Sequence, residues 1–179
     1  MQIEKEIESM PIINAKEPAI YPEQKIYTGK FVTLTPVNSN TDLHELFECS
    51  NGSEEKDKIW DYLTYGPFKN AEEMKTWMSG CENSKDPLYF TVRSKESNKC
   101  VGVVSFLNIV LIHKTIELGH IWYSPEAQRT KINTEAIYIM LMECFENLNY
   151  RRVEWKCNSM NEKSKAAALR LGFSYEGTF

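Results

Sequence analysis

The stretch that decides the fold runs over residues 117–173 and reads ELGHIWYSPEAQRTKINTEAIYIMLMECFENLNYRRVEWKCNSMNEKSKAAALRLGF. Its pattern predicts a strand, a polar loop, an apolar helix, a second strand, a second polar loop and a short helix. Each polar loop, 124–133 and 158–164, leads from a strand into the start of a helix. A helix N-terminus carries unpaired backbone N–H groups and the positive end of the helix dipole. We therefore expect the two loops to bind a phosphate-bearing ligand.

Length and composition predict one domain with a sizeable core. The chain has 179 residues, of which 42% are apolar, and chains of this length commonly fold as one unit. Its 21 Lys and Arg residues against 25 Asp and Glu residues give a formal charge of −4. Because nucleic-acid-binding proteins present a strongly basic face, the composition argues against a nucleic-acid partner and mildly favours a cationic one.

The cysteines indicate free thiols in a reducing compartment. There are five, an odd number, and no two of them form a C-x-x-C pair. Three lie inside apolar segments, which is typical of buried thiols. The three histidines show no ligand spacing with the cysteines, so we expect no metal site.

The sequence shows no segment that predicts membrane insertion or export. The longest nearly continuous apolar run, residues 101–112, is too short to span a bilayer. The first residues, MQIEKE, are partly acidic and no apolar segment follows them. We expect no membrane partner and a cytoplasmic location, with a nuclear one left open.

The first part of the chain predicts an arm followed by strands and helices. Residues 1–28 are polar and contain three prolines, so we expect an N-terminal arm before a domain over residues 29–179. Alternation and β-branched residues predict strands at 31–36, 88–93 and 100–110. Helical spacing predicts helices near 41–49, 56–62 and 70–81, the last capped by Asn70.

The second part predicts alternating strands and helices. We expect strands at 115–123, at 152–157 and from Phe173 onward. One helix is expected to start at an N-cap of Asn133 or Thr134 and to run to residue 148, and a second to span 162–171 with Gly172 just beyond its end. An early hairpin followed by β-α-β order predicts a mixed α/β sheet flanked by helices.

Eight short motifs in a fixed order carry a family resemblance. They are GKFV (29–32), YGPF (65–68), IWYSP (121–125), QRT (128–130), NTEA (133–136), N-x-x-S (161–164), LGF (171–173) and EGTF (176–179). Together they resemble the GNAT superfamily of N-acetyltransferases, and most closely its Rim-type branch, named for enzymes that acetylate ribosomal-protein N-termini. The resemblance implies the GNAT-like acyl-CoA N-acyltransferase fold, with helices on both faces of the sheet, and acetyl-CoA as co-substrate.

The chain departs from the family pattern at two places. The family's acetyl-CoA loop usually reads Gln/Arg-x-x-Gly-x-Gly/Ala, whereas Lys131 and Asn133 stand at the two small positions here. Lys131 supplies charge where glycine permits close backbone approach, and Asn133 can cap a helix. Family members also continue past Gly-Thr-Phe with a final strand, whereas this sequence ends at Phe179. We therefore expect that strand to be missing, which leaves an edge through which a homodimer could form.

The resemblance also assigns residues to acetyl-CoA. Backbone N–H groups of Ile121, Trp122 and Tyr123 are expected to pair with the pantetheine arm and the acyl oxygen where two parallel strands separate. The other cofactor-binding candidates lie in the two loops and are Gln128, Arg129, Thr130, Lys131, Ile132, Asn133, Thr134, Asn161 and Ser164. Arg129 and Lys131 are the candidates for phosphate contacts, although solvated loop charges have the same sequence signature.

Glu117 is the candidate catalytic base, because the family places a glutamate here that reaches the amine through water. Strict alternation puts Glu117, Gly119 and Ile121 on one face of the strand and His120 on the other, unless a bulge breaks the register. His120, with an ordinary pKa near ~6.5, is the rival base or a structural histidine. Ser164 is the second catalytic candidate, as a hydrogen-bond donor to the departing sulfur.

The sequence therefore leads to three hypotheses. The first is an N-acetyltransferase that moves the acetyl group of acetyl-CoA directly onto a primary amine in a ternary complex, since neither loop contains a cysteine nucleophile. Its acceptor is open between a peptide N-terminus and a small amine, and Tyr62, Tyr65 and Phe68 either line the acceptor site or pack in the core. The second is a CoA-binding relative that is catalytically weak or inactive and acts as an interaction protein. The third is an interaction module that binds no nucleotide.

Overall fold

The structure, a computed structural model, describes residues 17–179, so the first part of the expected N-terminal arm lies outside the described residues. Its sheet contains β1 (Tyr27–Thr28), β2 (Val32–Pro36), β3 (Leu88–Ser94), β4 (Cys100–Val110), β5 (Thr115–Tyr123) and β6 (Arg152–Glu154). The six strands lie side by side in chain order. Neighbours are antiparallel as far as β5, and β6 pairs with β5 in parallel.

Helices cover both faces of this sheet. They are α1 (Leu43–Ser50), α2 (Glu54–Asp57), α3 (Ala71–Asn83), α4 (Lys131–Met142) and α5 (Glu162–Arg170). One buried cluster joins the sheet to α4 through Ala136, Ile137 and Met140. The other joins the opposite face to α1 and α3 through Leu46 and Met78. The mixed α/β fold with helices on both faces, expected from the sequence, is confirmed.

The central strands are apolar on both faces because both faces are covered. In β3, Phe90 and Val92 belong to the α4-side cluster, while Tyr89, next to Phe90, belongs to the other. Successive side chains of a strand point to opposite faces, so this division follows from the backbone. Phe90 and Phe106 meet edge to face at 5.8 Å in the centre of the α4-side cluster. A strand that is buried on both faces does not alternate regularly between apolar and polar residues, and β3, which reads LYFTVRS, is an example.

Several predicted element boundaries were wrong. The helix predicted at 56–62 covers only Glu54–Asp57, and the strand β1 was not predicted at all. The helix predicted to reach residue 148 ends at Met142 and continues as a wider turn over Glu143–Asn147, where Leu148 N–H reaches back to the Glu143 carbonyl.

The predicted C-terminal strands are shorter than expected or absent. The strand predicted at 152–157 stops at Glu154, because β5 turns away from it beyond that point. No strand forms from Phe173 onward; Arg152 instead holds this segment through paired contacts of 2.7 and 2.6 Å to the Glu176 carboxylate. The end of α5 is as predicted. Gly172 has φ +95°, and its N–H and that of Phe173 close the helix onto the Leu169 and Ala168 carbonyls.

Within residues 17–179, every helix is too short or too polar to cross a membrane. The same residues contain no convergent group of three or more His, Cys, Asp or Glu side chains that could hold a metal ion. All five cysteines are free thiols, and Cys81, Cys100 and Cys144 are buried.

Glu135 on α4 fixes the start of β2. Its carboxylate accepts hydrogen bonds from the backbone N–H groups of Lys30, Phe31 and Val32 at 2.7, 2.6 and 2.9 Å. Gly29 lies so close that an added Cβ atom would be 2.6 Å from the Glu135 carboxylate. The carboxylate thus joins the sheet to the helix that follows the first polar loop.

We expect Glu135→Ala to lower the free energy of unfolding by about 2–3 kcal/mol, because three donors to a charged acceptor lose their partner. Urea denaturation followed by circular dichroism measures this. Glu146→Ala, at an exposed position, is the control and should change stability by less than ~0.5 kcal/mol. Similar losses in both variants would show that Glu135 does not fix β2.

Candidate active site

The sheet opens between β5 and β6. The two strands pair only at Thr115–Arg152, Ile116–Val153 and Glu117–Glu154. Beyond the last pair β5 continues for six residues to Tyr123, and no strand of the described chain pairs with this edge. The gap, which we call the β5–β6 mouth, therefore exposes main-chain hydrogen-bonding groups of β5 and of residues 155–158.

A bulge in β5 widens the mouth. Ser105 of β4 pairs with Gly119 and Val103 pairs with Trp122, so His120 and Ile121 together oppose the single residue Val104. His120 takes a left-handed backbone with φ +49°, as bulged residues can. The extra residue turns β5 away from β6 and changes which face its later side chains occupy.

Because of the bulge, the side chains of β5 do not alternate strictly between the two faces of the sheet, as the sequence analysis expected. Leu118 belongs to the α4-side cluster, but Trp122, at an even spacing from it, belongs to the cluster on the other face. The ring of His120 packs against Tyr65 and Tyr89, at centroid distances of 5.6 and 5.2 Å. These tyrosines lie on the Trp122 side of the sheet. The strict alternation that would place His120 and Glu117 on opposite faces is therefore broken.

The first polar loop ends in a helix N-cap, and the residue predicted for this cap was wrong. Thr130, not Asn133 or Thr134, is the N-cap of α4, because its hydroxyl accepts the Ile132 N–H at 3.2 Å. Asn133 and Thr134 lie in the first turn instead and accept hydrogen bonds from Arg170 of α5, both at 2.9 Å. The two helices that flank the mouth are thereby connected at their adjoining ends.

The other residues of the first loop differ in what they can offer a ligand. Gln128 is occupied in the loop itself, since its side-chain amide donates to the Tyr123 carbonyl at 3.0 Å. Arg129 is exposed and has φ +59°, while the Lys131 Nζ atom lies 5.0 Å from the centre of the Phe31 ring. Arg129, Thr130 and Lys131 line an open cavity of about 540 Å³ at the start of α4. Two cations therefore stand at a helix N-terminus, as phosphate binding requires.

The second polar loop forms a second capped helix. Asn161 is the N-cap of α5, its side-chain oxygen accepting the Ser164 N–H at 3.0 Å. The Ser164 hydroxyl accepts a hydrogen bond from the Trp155 indole at 2.9 Å. A hydroxyl that accepts one bond keeps its own proton for another acceptor, so Ser164 can still donate. This segment borders a wide groove of about 1390 Å³ that residues 171–179 close on its far side.

Glu117 is buried and engaged by two side chains that the sequence analysis missed. It is 5% exposed at the last paired position of β5. Its Oε2 atom accepts from Asn108 Nδ2 at 2.8 Å and from Lys156 Nζ at 2.5 Å. No local sequence signal marks these two residues, because Asn108 reaches Glu117 from the neighbouring strand β4 and Lys156 reaches it from the segment just after β6.

Asn108 is held in place by Asp86. The backbone of Asn108 is left-handed, with φ +48°, and the Asp86 carboxylate accepts the N–H groups of Asn108 and Ile109 at 2.9 and 3.0 Å. This fixes the direction of the Asn108 amide toward Glu117. The candidate base thus has a defined orientation before any substrate binds.

The surroundings of His120 favour its neutral form. Burial lowers the pKa of His120 below its ordinary value, and the nearby Glu117 carboxylate offsets only part of that effect. Imidazole that is neutral near pH 7 can accept a proton, so His120 stays a rival base on electrostatic grounds.

The three candidate acceptor residues do not share one environment. Tyr62 is exposed, and its hydroxyl donates to the Met160 carbonyl at 3.1 Å in the second polar loop. Tyr65 and Phe68 instead pack around Trp60 and Trp77. Burial raises the pKa of Tyr65, and its buried hydroxyl has no partner among the described residues. Only Tyr62 therefore stands in the open beside the mouth.

The side chains of Trp122 and Tyr123 are core residues. Trp122 lies 5.0 Å from Trp60, and Tyr123 belongs to the α4-side cluster. Their indole and phenol polar atoms are buried without a partner in the described part of the chain. Any contact of these residues with a ligand in the mouth is therefore through the backbone.

This arrangement agrees with comparisons to known proteins. Residues 32–174 match the family model described as the acetyltransferase (GNAT) domain. The chain is 32% identical over 82 residues to the ribosomal-protein-serine acetyltransferase of Escherichia coli (strain K12), an alignment that covers 46% of this chain and 45% of that protein. The chain therefore spans about half the length of this curated relative.

Solved structures are similar over more of the chain. A GCN5-related N-acetyltransferase from Brucella melitensis is 34% identical with a TM-score of 0.87, over 91% of this chain and 73% of that one. The microcin C7 self-immunity acetyltransferase MccE, determined in complex with acetyl-CoA and AMP, is 26% identical with a TM-score of 0.73, over 88% and 86%.

The family model covers most of the chain, and the open parallel pair and flanking helices agree with it. This protein belongs to the GNAT acetyltransferase domain family. The resemblance identified from its motifs, including the likeness to ribosomal-protein acetyltransferases, is confirmed.

The corrected cap position leads to a stability prediction. Thr130→Ala should lower the free energy of unfolding by about 1 kcal/mol because α4 loses its capping acceptor, whereas Thr130→Ser should keep most of it. Asn133→Ala loses one surface contact and should cost less than ~0.5 kcal/mol. Chemical denaturation of the three variants decides the question, and a larger loss for Asn133→Ala would return the cap to Asn133.

Proposed function

We propose that this protein transfers the acetyl group of acetyl-CoA to a primary amine by direct attack in a ternary complex. The observation that carries the proposal is the β5–β6 mouth, with the capped N-termini of α4 and α5 on one side and the buried carboxylate of Glu117 at its base. Family membership and the acetyl-CoA bound in the related MccE structure support it.

The residues at the mouth fit acetyl-CoA. Exposed Arg129 and Lys131 and the first-turn N–H groups of α4 would hold the diphosphate. Unpaired backbone groups along β5 and residues 155–158 would accompany the pantetheine arm. Bound there, the thioester supplies the acetyl group.

The protein's own groups then serve the transfer. A typical alkyl amine titrates near ~10 and must lose a proton before it attacks, and Glu117 would accept that proton through water. Backbone N–H groups of Ile121 and Tyr123 would donate to the carbonyl oxygen as it gains charge, a contribution typically of ~2.7–4 kcal/mol per donor. The Trp122 N–H points toward β4 instead, on the same edge as the Ser124 N–H, which donates to the Val101 carbonyl at 2.8 Å. The Ser164 hydroxyl would donate a hydrogen bond to the departing thiolate sulfur.

The acceptor is proposed to be a peptide N-terminus or a small amine. The name of the Escherichia coli relative, a ribosomal-protein-serine acetyltransferase, favours a peptide. Exposed Tyr62, hydrogen-bonded to the second loop, stands where an acceptor would approach. Homodimerisation through the segment after Phe173 stays a prediction.

One observation favours a second candidate, a CoA-binding protein of little activity. The Glu117 Oε2 atom is already engaged by hydrogen bonds from Asn108 and Lys156. Calorimetry with acetyl-CoA, followed by thiol release over a panel of amines and peptides, separates the two candidates. Binding followed by release supports the transferase, binding without release supports the second candidate, and no binding contradicts both.

Glu117→Gln tests the proposed base. We expect kcat to fall about a hundred-fold or more, the usual contribution of a general base, with affinity for acetyl-CoA almost unchanged. The dependence of kcat/KM on pH should also differ between Glu117→Gln and the wild type. His120→Asn is the control and should keep the kcat and the pH profile of the wild type. If His120→Asn changes the pH profile and Glu117→Gln leaves it unchanged, His120 is the base.

A further inference from the structure

A primary ammonium group is already bound at the base of the mouth. The Lys156 Nζ atom lies 2.5 Å from Glu117 Oε2 and 2.6 Å from Glu154 Oε2. Glu117 and Glu154 are the last paired residues of β5 and β6, so the two carboxylates face the ammonium group from the two strands that border the opening.

Each of the two carboxylates is held by a further side chain. Asn108 donates to Glu117 at 2.8 Å, and the Arg152 guanidinium donates to Glu154 Oε1 at 2.8 Å. Arg152 is in turn fixed by the Glu176 carboxylate at 2.7 and 2.6 Å. The oxygens that receive Lys156 are thus pre-positioned, and they form a binding position for one ammonium group.

Lys156 itself can leave this position without rearrangement of the fold. Its side chain is 47% exposed, whereas that of Glu117 is only 7% exposed. It extends from the segment just after β6, which pairs with no strand in residues 17–179. Because the Lys156 ammonium group reaches solvent, a free amine at moderate concentration can compete with it for the two carboxylates.

We propose that Lys156 occupies the position that the acceptor's ammonium group takes before transfer, and that the acceptor is a primary amine on an unbranched alkyl chain. The lysine side chain is such a group, a single ammonium on a flexible carbon chain, and the two carboxylates accommodate it. This inference rests on the proposed function, since it assigns the substrate class of the same site. Lys156 is a positioning residue that acts through Glu117, and it delays the acceptor until it is displaced.

The charge state of Lys156 explains why it occupies the site without reacting there. Burial opposes its charge, but hydrogen bonds to Glu117 and Glu154 outweigh this and raise the pKa of Lys156. An amine held as ammonium has no lone pair for attack on a thioester. The tethered lysine therefore blocks the position. An acceptor amine that replaces it lies where Glu117 can accept its proton through water.

Direct binding tests the inference independently of turnover. Calorimetry would measure 1,4-diaminobutane binding to the full chain, with and without saturating CoA. We expect Lys156→Met to bind the diamine about two- to five-fold more tightly than the wild type, the range expected for loss of a competing exposed ion pair. Lys156→Arg, which keeps a cation, should bind no more tightly than the wild type. Unchanged diamine affinity in Lys156→Met would overturn the proposal.

Lys25→Met is the matched control. Lys25 is 46% exposed and pairs at 2.7 Å with Glu143, a carboxylate that is 5% exposed, so its geometry resembles that of Lys156 at a different place in the fold. Diamine affinity should not change in this variant. Loss of CoA binding in every protein would count against the proposed function, while the comparison of diamine affinities without CoA would still decide the role of Lys156.

Steady-state kinetics distinguish an alkyl amine acceptor from the α-amine of a peptide. In Lys156→Met we expect KM to fall two- to five-fold for the diamine and for the side chain of Nα-acetyl-lysine amide, with KM for acetyl-CoA unchanged. KM for the α-amine of a serine-initiated peptide should not fall. A raised KM for acetyl-CoA, a lower kcat at unchanged acceptor KM, or an acetyl group found on Lys156 by mass spectrometry would each contradict the proposal.

Discussion

The separation of β5 from β6 is the constraint on which the rest of the site depends. Parallel pairing brings the strands together for three residue pairs, and the bulge at His120 and Ile121 then turns β5 away. Main-chain groups that would be satisfied in a continued sheet are left for a ligand. The cost of an interrupted sheet is offset by the two buried clusters, which hold β5 from both faces through Leu118 and Trp122.

The two sides of the mouth are held together by contacts that do not fill it. Arg170 of α5 binds Asn133 and Thr134 of α4, and Trp155 binds Ser164 across the second loop. The Arg170 bonds hold the C-terminal end of α5 against the N-terminus of α4, and the Trp155 bond holds the first turn of α5, while the strand edges stay open. A site fixed in this way can accept a long, flexible ligand with little reorganisation of the protein.

Sequence reasoning succeeded where the information is local. Strands β4 and β5 have the predicted limits, and Asn70 caps α3 as expected, because alternation and capping chemistry are local properties. The Gly172 helix end follows from the same kind of signal. The family motifs added the expectation that two parallel strands separate at Ile121, Trp122 and Tyr123, which propensity alone could not provide.

Sequence reasoning failed where a residue distant in sequence decides the local structure or completes the site. Thr130 caps α4 in place of Asn133, and Asn133 instead accepts from Arg170, thirty-seven positions later in the chain. The strand predicted to reach residue 157 ended at Glu154 because its neighbour turned away. Asn108 and Lys156 were missed for the same reason, since only the assembled sheet brings them to Glu117.

Glu117 shows why a buried carboxylate and a half-exposed cation occur together. A carboxylate this deeply buried is costly unless it is paired and hydrogen-bonded, and the penalty for leaving one unpaired reaches several kcal/mol. Asn108 provides one hydrogen bond but no charge. Without an acceptor, Lys156 supplies the cation, and with an acceptor the substrate can supply it. Fold stability and acceptor binding thus compete for one carboxylate, and the half-exposed lysine is the group able to yield because its departure exposes no apolar core.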